Sequence, residues 1–157
     1  MSIDLTSLTD DGDTLDLEDG RTLRLRIELD FIDPFEEFDA YGKVAANTYN
    51  SLTGRSQRPE GFDGNAEKIT VYNDVLWWQP PPGAPDRGTP EFAKFRQLVS
   101  DLASWGMKIV FLEVLSGLDA YRQPIVVDVA SLGGIDSLED GYVHEVVSEL
   151  AAEVGLD

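Results

Sequence analysis

The sequence predicts an α+β domain, a mainly antiparallel sheet with two helices packed on one face. Three observations carry that reading. Between Leu23 and Phe31 apolar residues alternate with charged ones. From Met107 to Ala130 two β-branched arms flank a loop that holds Gly117, Asp119 and Pro124. Two further segments repeat apolar residues at helical spacing between start and stop signals. Strands, then a helix, two strands and a helix suit helices layered on an antiparallel sheet. A chain of 157 residues most simply makes one domain, and at that length roughly two thirds of the unfolded surface can be buried.

Residues 1–20 hold seven carboxylates and no Lys or Arg. Only Leu15-Asp16-Leu17 alternates there, a short strand that turns at Asp19-Gly20. The rest reads as an acidic arm, so the single domain is placed at residues 21–157. Leu23, Leu25, Ile27, Leu29 and Phe31 then alternate with Arg24, Arg26, Glu28 and Asp30. That is period two, a strand with one face buried. Asp33-Pro34 ends it, because proline cannot donate to a ladder and pushes the preceding residue away from helix.

Tyr41 to Ala46 is predicted as a short strand, and Ser51 to Asn65 as a loop containing Gly54, Pro59, Gly61 and Gly64. Glu67 to Trp78 reads as a strand that a hairpin or bulge breaks at Asn73-Asp74. Trp77 and Trp78 are adjacent in it and point to opposite faces. One enters the core. The other needs a helix, the proline segment or a partner to cover it, and Trp is enriched in binding hot spots. Pro80-Pro81-Pro82-Gly83-Ala84-Pro85 is a stiff, extended connection.

The first long helix has clear boundaries. Thr89 suits the N-cap, Pro90 the first helical position and Glu91 the positive end of the dipole. Phe92, Phe95, Leu98, Val99 and Leu102 form its apolar stripe, and Gly106 ends it. The arms of the following hairpin lack polar alternation, which suits strands covered on both faces. Because a helix separates the strand before Pro80 from the one at Lys108, a parallel, right-handed crossover is expected. Ser137 caps the last helix, with Asp140 as its capping-box partner. Val143, Val146, Val147, Leu150 and Val154 are its buried stripe.

Charge is the outlier in composition. Thirty acidic residues against twelve basic ones give a formal −18. Such a surface disfavours nucleic acid and anionic membranes, since it offers no counterion release and no attraction to phosphate. It favours a basic protein partner and speeds that partner's approach at low salt. The plainer alternative is acidity that only maintains solubility. With no cysteine there is no disulfide, thiolate zinc site or cysteine nucleophile. No signal peptide is read at the N-terminus, and no apolar run approaches the ~20 residues that span a bilayer. The expected location is the cytoplasm; oligomeric state is left open.

Motifs for enzymatic chemistry are sparse. There is no phosphate-binding loop, dinucleotide fingerprint or nucleophile elbow. His144 is the single histidine and reads as a boundary residue, since a base also needs a nucleophile and an orienting group. Ser131 to Ser137 could cradle an anion, but Asp136, Glu139 and Asp140 compete for the same positive helix end. The clusters Asp10, Asp11, Asp13, Asp16 and Asp33, Glu36, Glu37, Asp39 suit a hard cation by residue type, yet miss the calcium-loop spacing. No metal, cofactor or catalytic residue is assigned. Asp128 with Asp33 or Glu113 is the pairing that a carboxylate enzyme would require.

The last helix is the most informative stretch. Glu145, Glu149 and Glu153 recur every fourth residue, and like charges at that spacing repel. Glu149, Glu153 and Asp157 also sit at the negative end of the dipole, where lysine is favoured. No Lys or Arg follows Arg122. Choices that local helix physics opposes mark a functional surface. The candidate partner-binding residues are therefore Asp140, Glu145, Glu149, Glu153, Trp77 and Trp78.

Leu23 to Asp30, Tyr41-Gly42-Lys43-Val44, Arg58-Pro59-Glu60-Gly61-Phe62-Asp63-Gly64 and Trp77-Trp78-Gln79-Pro80-Pro81 together resemble small acidic proteins encoded by actinobacterial phages. The resemblance spans about residues 23–140 and carries no activity or site residue. It implies an accessory phage protein acting in the host cytoplasm. The function expected is a non-enzymatic acidic interaction protein that binds a basic partner, as a DNA-mimic inhibitor or an immunity- or chaperone-like binder. Two alternatives stand beside it: a metal- or carboxylate-dependent hydrolase, and a structural subunit of a phage assembly.

Overall fold

A computed structural model describes residues 3–49, 51–139 and 141–156. In chain order the elements are β1 (Thr14–Asp16), β2 (Thr22–Asp30), α1 (Pro34–Glu37), β3 (Lys43–Ala46), β4 (Thr48–Tyr49), β5 (Ser56–Gln57), β6 (Glu67–Val71), β7 (Asp74–Gln79), α2 (Pro90–Trp105), β8 (Met107–Leu118), β9 (Pro124–Ile135) and α3 (Tyr142–Glu153). All strand pairs are antiparallel, which is the predicted α+β class. The chain divides into two compact units, Met1–Asp30 with Met107–Asp157, and Phe31–Gly106.

The first unit is a sheet in the order β1-β2-β8-β9. β2 follows its alternation in its first half only: Leu23 and Leu25 are fully buried, and Arg24 and Arg26 lie on the opposite face, partly exposed. Ile27 is only partly buried, Leu29 is exposed, and Phe31, past the end of the strand, is 91% exposed. The register of β2 with β8 runs from Thr22 opposite Leu115 to Asp30 opposite Met107. Residues 31–106 are thus an insertion between two strands that are direct neighbours. β8 turns into β9 through residues 119–123, where the Asp119 carboxylate accepts the N–H groups of Tyr121 at 2.8 Å and Gln123 at 2.9 Å.

α3 covers this sheet with Val146, Val147 and Leu150 of the predicted stripe and with Ala151 beside them, while Val143 and Val154 are only partly buried. Leu5 and Leu8 join the same core. Asp11 Oδ1 accepts the Ile27 N–H at 2.7 Å, and Gly12 donates to the Leu25 carbonyl at 2.8 Å. Residues 3–20 therefore belong to the body of this unit instead of forming the expected separate arm. Two scattered leucines anchor it, a signal that periodicity does not register, while most of its other residues stay exposed. The helix cap also differs from expectation. α3 begins after Gly141, at φ 79°, with no side-chain cap, and Ser137 Oγ instead accepts the Glu139 N–H at 3.2 Å in the turn upstream. Asp140 lies outside the described residues.

The second unit has a sheet in the order β3-β7-β6, a β4-β5 pair, and α2 lying on β6. Its core is Ile69, Val71, Trp78, Phe92 and Val99. α2 has the expected boundaries: Thr89 Oγ1 accepts the Phe92 N–H at 3.2 Å, Pro90 opens the helix, and Gly106 ends it at φ 75°. Asp33-Pro34 does more than stop a strand. Asp33 Oδ1 accepts the Phe35 N–H at 2.9 Å and caps the one-turn α1. The β6-β7 hairpin breaks at Tyr72-Asn73, where Tyr72 takes φ 55° and sets its ring edge-on to Trp105 at 4.8 Å.

Two expectations are corrected by this division. β7 pairs with β3 and β6, whereas β8 pairs with β2 and β9, so no parallel crossover joins them. Nor do the two long helices share one sheet face, since α2 lies on β6 and α3 on β8 and β9. A helix between two strands implies a crossover only if both strands enter one sheet. No described helix is long and apolar enough to cross a membrane.

Candidate functional site

The two units carry very different charge. The first holds 19 acidic and 5 basic residues, a net −14, and the second 11 acidic and 7 basic, a net −4. Three of the five cations in the first unit are engaged locally. Arg21 pairs with Asp19 at 2.7 Å, and Arg24 and Arg26 both donate to Glu113, with Arg26 also paired to Glu28. Little positive charge is left to balance α3.

Glu145, Glu149 and Glu153 are exposed on α3, opposite its buried stripe. Among the described residues none of the three has an ion pair or hydrogen bond, and the last turn has no basic residue. With a rise of ~1.5 Å per residue the carboxylates stand ~6 Å apart along the axis. Each is exposed, so a cation can approach without displacing an internal partner. His144 is exposed on the same helix.

Other carboxylates are committed to the fold. Asp13 accepts the backbone N–H groups of Asp10 at 2.8 Å and Thr9 at 3.0 Å, and these bonds hold its carboxyl below the ordinary value. The Gln79 amide and the Asn65 N–H do the same for Asp63, and the Arg21 guanidinium for Asp19. Thr6 lowers Asp4 through its hydroxyl and its N–H, with a smaller contribution from the charge of His144.

Glu113 and Asp128 do not converge as the carboxylate pair that an enzyme would need. Glu113 is buried and held by Arg24 Nε at 2.9 Å and Arg26 Nε at 3.3 Å. Asp128 stands opposite Val114, one residue along the ladder from Glu113, so its side chain leaves the opposite sheet face. Asp33 belongs to the second unit, as the cap of α1. Among the described residues no group of three or more His, Asp or Glu side chains converges as a metal site. Gly133 and Gly134 sit within β9, well before α3 begins, and the Gly134 N–H donates to Asp30 Oδ2 at 2.7 Å. The chain supplies its own carboxylate there.

The tryptophans separate. Trp78 is 0% exposed, donates from Nε1 to the Tyr41 carbonyl at 2.8 Å and lies 5.9 Å from the rings of Phe92 and Phe95. It is a core residue and cannot meet a partner. Trp77 is half-buried, with Lys68 Nζ 5.5 Å from its ring centroid, and its Nε1 has no acceptor among the described residues. The second unit also has an open concavity of about 920 Å³, walled by Pro80, Pro81, Pro82 and Arg87. The Asp63 and Gln79 groups on its wall bond to each other at 2.9 Å, and its described lining holds no Ser, Cys or His.

One surface went unread in the sequence. β9 was expected to be covered on both faces, yet Ile125, Val126, Val127 and Val129 are exposed, because β9 is the outer strand of its sheet. An apolar run identifies a strand but not its place in the order. No protein-family model, curated protein or solved structure matches this chain.

Proposed function

We propose that this chain is a non-enzymatic interaction protein whose α3 carboxylates bind a basic protein partner. The observation that supports this reading is the row Glu145, Glu149 and Glu153, exposed, regularly spaced and without counter-charge among the described residues. Lysine at Glu149 and Glu153 would suit the C-terminal half of the helix better, whereas Glu145 in the first turn suits the helix dipole, so the fold alone does not select the whole row. Spacing refines the partner. One charge per ~6 Å of helix axis is about half the line density of a single DNA strand. The row therefore favours a patch of Lys and Arg on a folded protein over the tracking surface of a duplex-binding groove.

Capture from bacterial lysate tests the proposal. The wild-type chain should retain a basic protein at low salt and release it at high salt. The triple variant Glu145→Lys, Glu149→Lys, Glu153→Lys should lose it. A control with the same charge change elsewhere, Glu36→Lys, Glu37→Lys, Glu60→Lys, should keep it. Equal loss in both variants, or no basic prey at any salt, refutes the reading.

A further inference from the structure

We propose that β9 is a homodimerisation edge, at which a second copy of this chain pairs antiparallel and extends the first unit's sheet. The inference is independent of the basic-partner reading and uses a different surface.

The two edges of the sheet are built differently. β1 is three residues long, Thr14–Asp16, and is flanked by Asp13, Glu18 and Asp19. Short length and charge are the usual means of keeping an edge from pairing. β9 is twelve residues long and is less protected, with Pro124 at its start and one charge within it. Between Gln123 and Ile135 the only charged residue is Asp128. Ile125, Val126, Val127 and Val129 are 41, 42, 54 and 49% exposed, and Leu118 and Tyr121 beside them 62 and 84%. The register with β8 shifts at three places, and the one between Asp128 and Val126 leaves Val127 as a bulge, but none of them covers the edge.

Charge selects the occupant. A basic partner is drawn to the carboxylates, not to a neutral apolar strand. A second chain at −18 is repelled nearly everywhere and least along β9. β9 is also self-complementary: antiparallel pairing of a strand with its own copy closes on a two-fold axis. An axis at Val127 sets Ile125 of one copy against Val129 of the other. It also places Asp128 across from Val126 instead of across from its own counterpart. The Asp128 carboxylate accepts the Val129 N–H at 2.9 Å, so removing it would free an edge donor as well as a charge.

Sedimentation equilibrium of the full chain, over a range of concentrations and at low and high salt, tests this. A monomer–dimer equilibrium should appear and tighten as salt screens the mutual repulsion, the reverse of the salt response of a basic partner. Val127→Lys should weaken dimerisation roughly tenfold or more, because two lysines would then face each other across the axis. Asp128→Ala should strengthen it. Both positions are exposed, and circular dichroism would verify that each variant is folded. A monomer at every concentration and salt overturns the proposal. So does growth beyond two copies, or a dimer indifferent to both substitutions.

Discussion

Arg24 and Glu113 stand directly opposite each other on β2 and β8, and Arg24 Nε donates to Glu113 Oε1 at 2.9 Å. The carboxylate is nearly sealed from solvent, whereas Arg24 and its neighbour Arg26 are about one third exposed. Removing Glu113 leaves Arg24 without its carboxylate and Arg26 with Glu28 alone. Glu113→Ala should therefore destabilise the first unit by about 2 kcal/mol, less than a fully buried pair because the arginines stay hydrated. Urea unfolding checks this, and an unchanged midpoint would contradict it.

The adjacent tryptophans should respond oppositely. Trp78→Phe loses the bond to the Tyr41 carbonyl and part of a filled core, about 2 kcal/mol or more. Trp77→Phe removes a buried Nε1 that has no acceptor among the described residues, so it should cost little or stabilise. Thermal unfolding of the two variants, followed in the transition of residues 31–106, distinguishes them.

Acid should loosen the N-terminal segment through Asp13. Its folded-state pKa lies below the ordinary 3.8 because the Asp10 and Thr9 N–H groups favour the charged form. A depressed pKa means that the stabilisation is present above the unfolded value and is lost as pH falls through the folded one. The amide resonances of Thr9 and Asp10 should titrate with a midpoint below 3.8. Asp13→Ala should abolish that titration.

The glutamates of α3 should be suboptimal for stability. Glu149→Lys with Glu153→Lys relieves like-charge repulsion and complements the negative helix end, which should raise stability by about 0.5–1 kcal/mol. The melting temperature of the double variant reads this out. A lowered melting temperature would mean that the carboxylates support the fold in a way their exposure does not reveal.

What was legible in the sequence was local. Thr89, Pro90 and Gly106 bounded α2 because caps act over a few residues. The alternation of β2 and the stripe of α3 are legible in part, since Leu23, Leu25, Val146, Val147 and Leu150 each record a buried face, whereas Leu29 and Phe31 alternate in sequence and are nonetheless exposed. Pairings across long stretches of chain left no such trace. Asp30 meets Met107 across an inserted unit, and nothing in period-two alternation reveals the neighbour of a strand. That is why the sequence predicts one sheet where there are separate ones, and a covered β9 where the strand is an edge. For the candidate site, the row on α3 could be read because helical spacing alone places it. Trp78 was misjudged because adjacency in a strand shows that two rings diverge without showing which enters the core.

The central claim is best tested by the salt dependence of binding to the basic protein that the wild-type chain captures, with all three proteins compared. For wild type and for the Glu36, Glu37, Glu60 control, log affinity should fall steeply with log salt. For the Glu145, Glu149, Glu153 variant the affinity should be low and the slope shallow. Equal affinity and slope in all three would show that the α3 row is not where the partner docks.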